Sequence, residues 1–206
     1  MFFPLLTSFI IFVAIVQIMI RRSDSRQKSD TAEFLRREQE SNFVRKKSLD
    51  DLDYIRIPVD RLPFGALPEN PEVRDAEDTV YRLAEEKIVN LTGISNTDLK
   101  LRYGTANITP LTQYDLNYLE LARALQKWGK ELYASHCYSE ARTVLEFAID
   151  TRTDVTQTWH LYIECIRYHA GLSDGESRAV LQSRIPIAES LESLSKDAIL
   201  AELKSV

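Results

Sequence analysis

Glycine is scarce in this chain, 6 residues in 206, and histidine and cysteine are scarcer still, with 3 and 2. Few glycines leave little room for phosphate-cradling loops, and no such loop, nucleophile elbow or paired-carboxylate signature occurs. The two cysteines, Cys137 and Cys165, give no disulfide framework. Both sit in apolar helical patterns, where a free thiol behaves as a small hydrophobe, so reduced and packed side chains are expected. Among the histidines, His160 with Glu164 and His169 with Cys165 each make half a metal site at a spacing of four. No third and fourth ligand follow at matching positions. His136 and Cys137 are neighbours, and adjacent helical residues diverge by about 100°. Neither a metal, a cofactor nor a catalytic residue is expected, and the chain does not read as an enzyme.

Charge is also missing, and more tellingly, between Phe2 and Ile20, where the only polar side chains are Thr7, Ser8 and Gln17. Nineteen residues as a helix reach roughly 28 Å, close to the thickness of a bilayer's hydrocarbon core. The run ends in Gln-Ile-Met-Ile-Arg-Arg with no small-x-small cleavage site, which favours a retained anchor over a removed signal. Lys and Arg follow it densely: Arg21, Arg22, Arg26 and Lys28, then Arg36, Arg37, Arg45, Lys46 and Lys47. The positive-inside rule therefore places the bulk of the chain in the cytoplasm, with Arg21, Arg22, Arg26 and Lys28 at the membrane surface beside anionic lipid. Residues 21–47 carry nine basic and five acidic groups, net +4, so the total of −5 leaves −9 for residues 48–206. An acidic body of that kind argues against a nucleic-acid partner.

Beyond the basic cluster, Ser29 and Asp30 can start a helix, and good helix formers continue through Lys46. Its apolar residues Phe34, Leu35, Phe43 and Val44 are too few for a core-facing stripe, so a charged juxtamembrane helix is expected, on the headgroups or on its own domain. Pro58, Pro63, Pro68 and Pro71 then forbid a central strand. The segment between them is nonetheless apolar, with Ile55, Ile57, Val59, Leu62, Phe64 and Leu67, and is expected to lie extended in a groove of the domain. From Pro71, with Asn70 as cap, Val73, Ala76, Val80, Leu83, Ala84 and Ile88 recur at helical steps until Gly93. A short helix is expected near Thr97 to Tyr103, and a long one from Pro110 to about Ser135. Shorter helices follow over Ser139 to Asp150, Val155 to Ala170, Gly175 to Ser183, Ala188 to Leu194 and Lys196 to Leu203. No strand is expected after residue 60. Asn90-Leu-Thr and Asn107-Ile-Thr match a glycosylation acceptor pattern, which cytoplasmic residence makes irrelevant.

The stretch LQKWGKELYASHCYSEARTVLEFAIDTRTD carries the most information. Two helices of this length share a core when small residues at their crossing let the backbones approach, and Gly129 and Ala141 are placed for that, with Leu125, Trp128, Leu132, Tyr138, Leu145 and Ala148 filling either side. The pattern resembles the tetratricopeptide repeat, a helix-turn-helix unit of about 34 residues. Trp128-Gly129 matches the large-small pair of its first helix, and Tyr138, Ala141, Leu145 and Ala148 match the turn and second helix. It departs from the family at His136, where glycine is usual, and at Leu132, where tyrosine is usual, and a second unit over Val155 to Ala170 matches loosely. The resemblance implies stacked hairpins whose first helices line a peptide-binding groove. The groove positions map to Arg123, Gln126, Lys130 and Tyr133 in one unit and Gln157, His160, Glu164 and Arg167 in the next, opposite the apolar stripe Val155, Trp159, Tyr162, Ile163 and Ile166.

The expected organisation is thus all-α: a transmembrane anchor over residues 1–22, a basic juxtamembrane helix and proline-rich extended segment over 23–71, and an α-helical tetratricopeptide-like array over 72–206. The expected function is a membrane-anchored adaptor that binds a protein or peptide partner in a helical groove. The alternative is a structural subunit of a larger membrane complex, with segment 54–67 covering an obligate neighbour.

Overall fold

The computed structural model describes residues 16, 17, 19 and 31–205, which form two compact units. One consists of residues up to Ser48 together with Ser95–Ile108; the other consists of Leu49–Ile94 and the residues from Thr109 onward. All regular structure among the described residues is helical, with no strand. The expected span over Phe2 to Ile20 lies almost wholly outside them, although Val16, Gln17 and Met19 are helical. Among the described residues no helix is long and apolar enough to cross a membrane.

The first unit is held largely by polar contacts. Helix α1 covers residues 31–42, and α3 is Asn96–Tyr103, capped by the Ser95 side chain accepting from the Asp98 amide. A short 3-10 turn, Thr105–Asn107, follows. Glu38 on α1 accepts from the Thr97 hydroxyl at 2.6 Å and pairs with Lys100, while Arg37 pairs with Asp98 at 2.8 Å. These hydrogen bonds, with Lys100 first, hold the Glu38 carboxyl below its usual pKa. α1 stops at residue 42 rather than running to Lys46. The reason is tertiary: the Ser41 carbonyl accepts from the Thr105 hydroxyl, and the Lys47 amide donates to the Tyr103 carbonyl at 3.0 Å. The chain there is drawn off the helix axis and laid along the end of α3. Gly104, at φ +88°, makes this possible, since a Cβ there would stand 2.3 Å from the Arg45 carbonyl oxygen. Phe34, Leu35 and Phe43 remain exposed.

In the second unit the proline-rich segment lies on its own core, as its apolar content predicts. From residue 59, however, it is a chain of turns rather than an extended run: the Leu62 amide donates to the Pro58 carbonyl, the Ala66 amide to that of Pro63 and the Asn70 amide to that of Leu67. Leu62 is buried, and Ile55, Ile57, Phe64, Ala66 and Leu67 pack against the cluster around it. Phe64 sits with its ring 5.0 Å from that of Trp128. Helix α2, Pro71–Leu83, begins as expected, with Asn70 accepting from the Glu72 and Val73 amides. It ends at Leu83 rather than near Gly93, where its periodicity points. Ile88, Val89 and Leu91 are buried, but from an extended stretch that hydrogen-bonds elsewhere: the Asn117 side-chain amide donates to the Lys87 carbonyl at 3.0 Å, and the Leu91 amide donates to Asp115 at 3.1 Å. Specific tertiary bonds override a weak local preference.

The body of this unit is built on α4, Ile108–Ala134, and α5, Tyr138–Asp150. All of the expected α4 stripe from Tyr118 through Leu132 is buried. The two helices cross at Gly129, where a Cβ would meet Leu145 Cδ2 at 2.6 Å and Cγ at 2.8 Å. The turn between them holds His136 at φ +62°, a left-handed conformation, where the resembling motif places glycine. Helix α6, Thr156–Glu164, packs on α5 and continues as a π turn, Cys165–His169. Helix α7 is Asp174–Ser183, opened by a capping box between Ser173 and Glu176; α8 is Ile185–Glu189; α9 is Lys196–Lys204 and lies on α6. α8 starts before the expected Ala188, because Pro186 occupies its first turn, where a missing amide costs nothing, rather than breaking it, and it ends at Glu189, so residues 190–194 of the expected helix are not helical.

Candidate functional site

The eight residues at the expected groove positions lie on α4, α6 and the π turn. Gln126 donates to Gln157 at 2.9 Å, and further along the same face the Tyr133 hydroxyl lies 3.5 Å from His169 Nε2 on the π turn. Contacts met in the same chain order on both sides mean that α4 runs side by side with and parallel to α6 and its π turn along this face. Burial and then the Glu164 carboxylate push the Tyr133 phenol up to about 12. His160 is engaged from another direction. Its Nδ1 lies 2.5 Å from Glu202 Oε1 on α9, and its Nε2 lies 3.7 Å from Glu164. The Glu202 contact, outweighing desolvation, raises the imidazole above its usual pKa.

The row therefore divides in two. Gln126, Tyr133, Gln157, His160 and Glu164 are committed to one another or to α9. Arg123 and Lys130 are exposed and form no ion pair among the described residues, and the Arg167 guanidinium sits 5.1 Å from the Tyr168 ring centre. Arg21, Arg22, Arg26 and Lys28, the expected membrane-surface residues, lie outside the described residues.

Spacing alone does not reveal an aromatic cluster at the end of this face. Tyr138 and His169 stack with ring centres 3.5 Å apart and planes within 5°. Tyr133 meets both edge-on, at 5.2 and 5.7 Å. His136 Nδ1 lies 2.6 Å from the Tyr138 hydroxyl. The hidden element is the π turn: the four-residue spacing of Cys165 and His169 suggests one α-helical face, but an i→i+5 turn separates them. Cys165 is buried, its thiol pushed up to about 11 by that burial, while His169 is exposed on the tyrosines. Among the described residues no three His, Cys, Asp or Glu side chains gather as a metal site. Both cysteines are free thiols, with Cys137 half-buried.

The glycosylation patterns have structural roles. Asn107 is fully buried and its amide donates to the Lys47 and Tyr103 carbonyls, while Asn90 donates to the Thr151 and Arg152 carbonyls.

No family model, curated protein or solved structure matches the chain.

Proposed function

We propose that this chain is a membrane-anchored adaptor of tetratricopeptide-like type, docking a protein or peptide partner along the α4–α6 face. The observation supporting it is the parallel pairing of α4 with α6 and its π turn through Gln126–Gln157 and Tyr133–His169, which sets two helical segments side by side with polar residues outward and an apolar core behind. This is how successive first helices of stacked hairpins present a groove. In this reading Phe2 to Ile20 forms the anchor, Arg21, Arg22, Arg26 and Lys28 lie among anionic headgroups, and the body is cytoplasmic. Anchoring raises local concentration, so a modest affinity suffices. The acidic body disfavours nucleic acid, and no catalytic chemistry is assigned.

The alternative, an obligate subunit of a membrane complex, draws on the apolar segment 54–67. That segment is seated on the chain's own core, which removes its main support.

The test is crosslinking and pull-down from membranes, with the full chain compared against an Arg123→Glu, Lys130→Glu, Arg167→Glu variant. Loss of a specific protein partner is expected. An unchanged set of partners overturns the groove assignment.

A further inference from the structure

The exposed edge of α4 extends beyond the groove row. Leu116, Leu119, Arg123, Gln126, Lys130 and Tyr133 recur at steps of three and four, which places them on one helical stripe. At the α-helical rise it is roughly 25 Å long. Its first part is apolar and open to solvent, with Leu116 52% and Leu119 39% exposed. Its middle is basic. It contains no carboxylate, in a chain with 31 Asp and Glu.

Most charges flanking the stripe are already used, Glu131 beside Lys130 being the exception. Asp115 accepts from the Leu91 amide, Glu120 pairs with Arg82 at 2.5 Å, and Lys127 pairs with Glu72 at 2.5 Å and Asp75 at 2.9 Å. What remains on the stripe itself is a leucine pair followed by two cations, Arg123 and Lys130, that form no ion pair among the described residues.

We infer that this stripe docks an acidic amphipathic helix of a partner protein, whose apolar face rests on Leu116 and Leu119 and whose carboxylates meet Arg123 and Lys130. The inference deepens the adaptor reading and rests on it. Charge selects the occupant: a second copy meeting it symmetrically would bring the same two cations to the contact, and an anionic bilayer would repel the net −9 of residues 48–206. A helix is the fitting shape, because anchors at three- and four-residue steps along a single helix are how an amphipathic helix is received.

The experiment places a photo-crosslinking phenylalanine analogue at position 116, 119 or 157 of the full chain in its native membranes and sequences the attached peptide. Crosslinks from 116 or 119 to an acidic amphipathic segment of another protein, reduced at least about fivefold by Arg123→Glu with Lys130→Glu, support the inference. Crosslinks from those positions to lipid, to a second copy or to a segment without acidic residues overturn it. Crosslinks from 157 alone overturn it while leaving the adaptor reading intact. Absence of protein crosslinks from all three positions removes both.

Discussion

The crossing of α4 and α5 yields a prediction whose sign changes with background. In the native chain, Gly129→Ala puts a Cβ 2.6 Å from Leu145 Cδ2 and 2.8 Å from its Cγ. Leu145 is fully buried, so it has little room to turn away. Overpacking of that severity costs about 3 kcal/mol, and the helix preference of alanine over glycine returns about 1. A net loss of about 2 kcal/mol is expected. Leu145→Ala alone leaves a cavity and costs about 3 kcal/mol. With Leu145 already truncated the clash is gone, so the added methyl keeps only its helix preference. Gly129→Ala should then stabilise by about 1 kcal/mol, making the pair couple by about 3 kcal/mol rather than add. Urea unfolding followed by far-ultraviolet circular dichroism on the four proteins measures this. The same sign for Gly129→Ala in both backgrounds refutes the crossing geometry.

Three further perturbations have definite expected outcomes. Gly104→Ala, at φ +88° against the Arg45 carbonyl, should cost about 2–4 kcal/mol locally, read as lost amide-exchange protection at Lys47 with the α4–α5 core unaffected; retained protection would contradict it. The His160 imidazole has a raised pKa in the folded state, so its contribution to stability is full below the unfolded histidine value near 6.5 and is lost as pH rises through the folded one. Glu202→Gln should flatten that part of the stability–pH curve, and an unaltered curve would exclude the contact. Arg184 joins the α7–α8 junction to α5 through Glu146 and Asp150, the latter at 2.9 Å, and to α6 through the Tyr162 hydroxyl. Arg184→Met should lower stability by about 1–2 kcal/mol in urea titration, since it leaves two partly solvated carboxylates facing each other, and an unchanged midpoint would deny the junction its role.

Elements that bury a continuous stripe were legible in the sequence. α4 was, because Tyr118, Leu121, Leu125, Trp128 and Leu132 keep a 3.6-residue period, and so was the seat of the proline-rich segment on the core, because of its apolar residues, though not the turns it folds into. What failed depended on distant partners. The stretch after Leu83 keeps a helical period in sequence, but Asn117 and Asp115, 30 and 24 residues beyond the groups they bind, hold its backbone extended. Ser41 loses the helix continuation to Thr105 in the same way. At the candidate site, the hold of Glu202 on His160 joins residues 42 apart and has no local signature. The stacked Tyr138 and His169 were hidden because the π turn is not written in any motif.

That π turn works as a phase shift in the winding of the chain. Its wider loop turns the downstream segment out of step with α6, and the Ser177 hydroxyl donates to the Ile166 carbonyl at 3.2 Å. Deleting one residue between Cys165 and His169 would let ordinary winding resume and rotate that segment by about 100°. His169 would swing off the tyrosine face and α7 would lose its register, so a single missing codon there would disturb this end of the domain more than most substitutions within it.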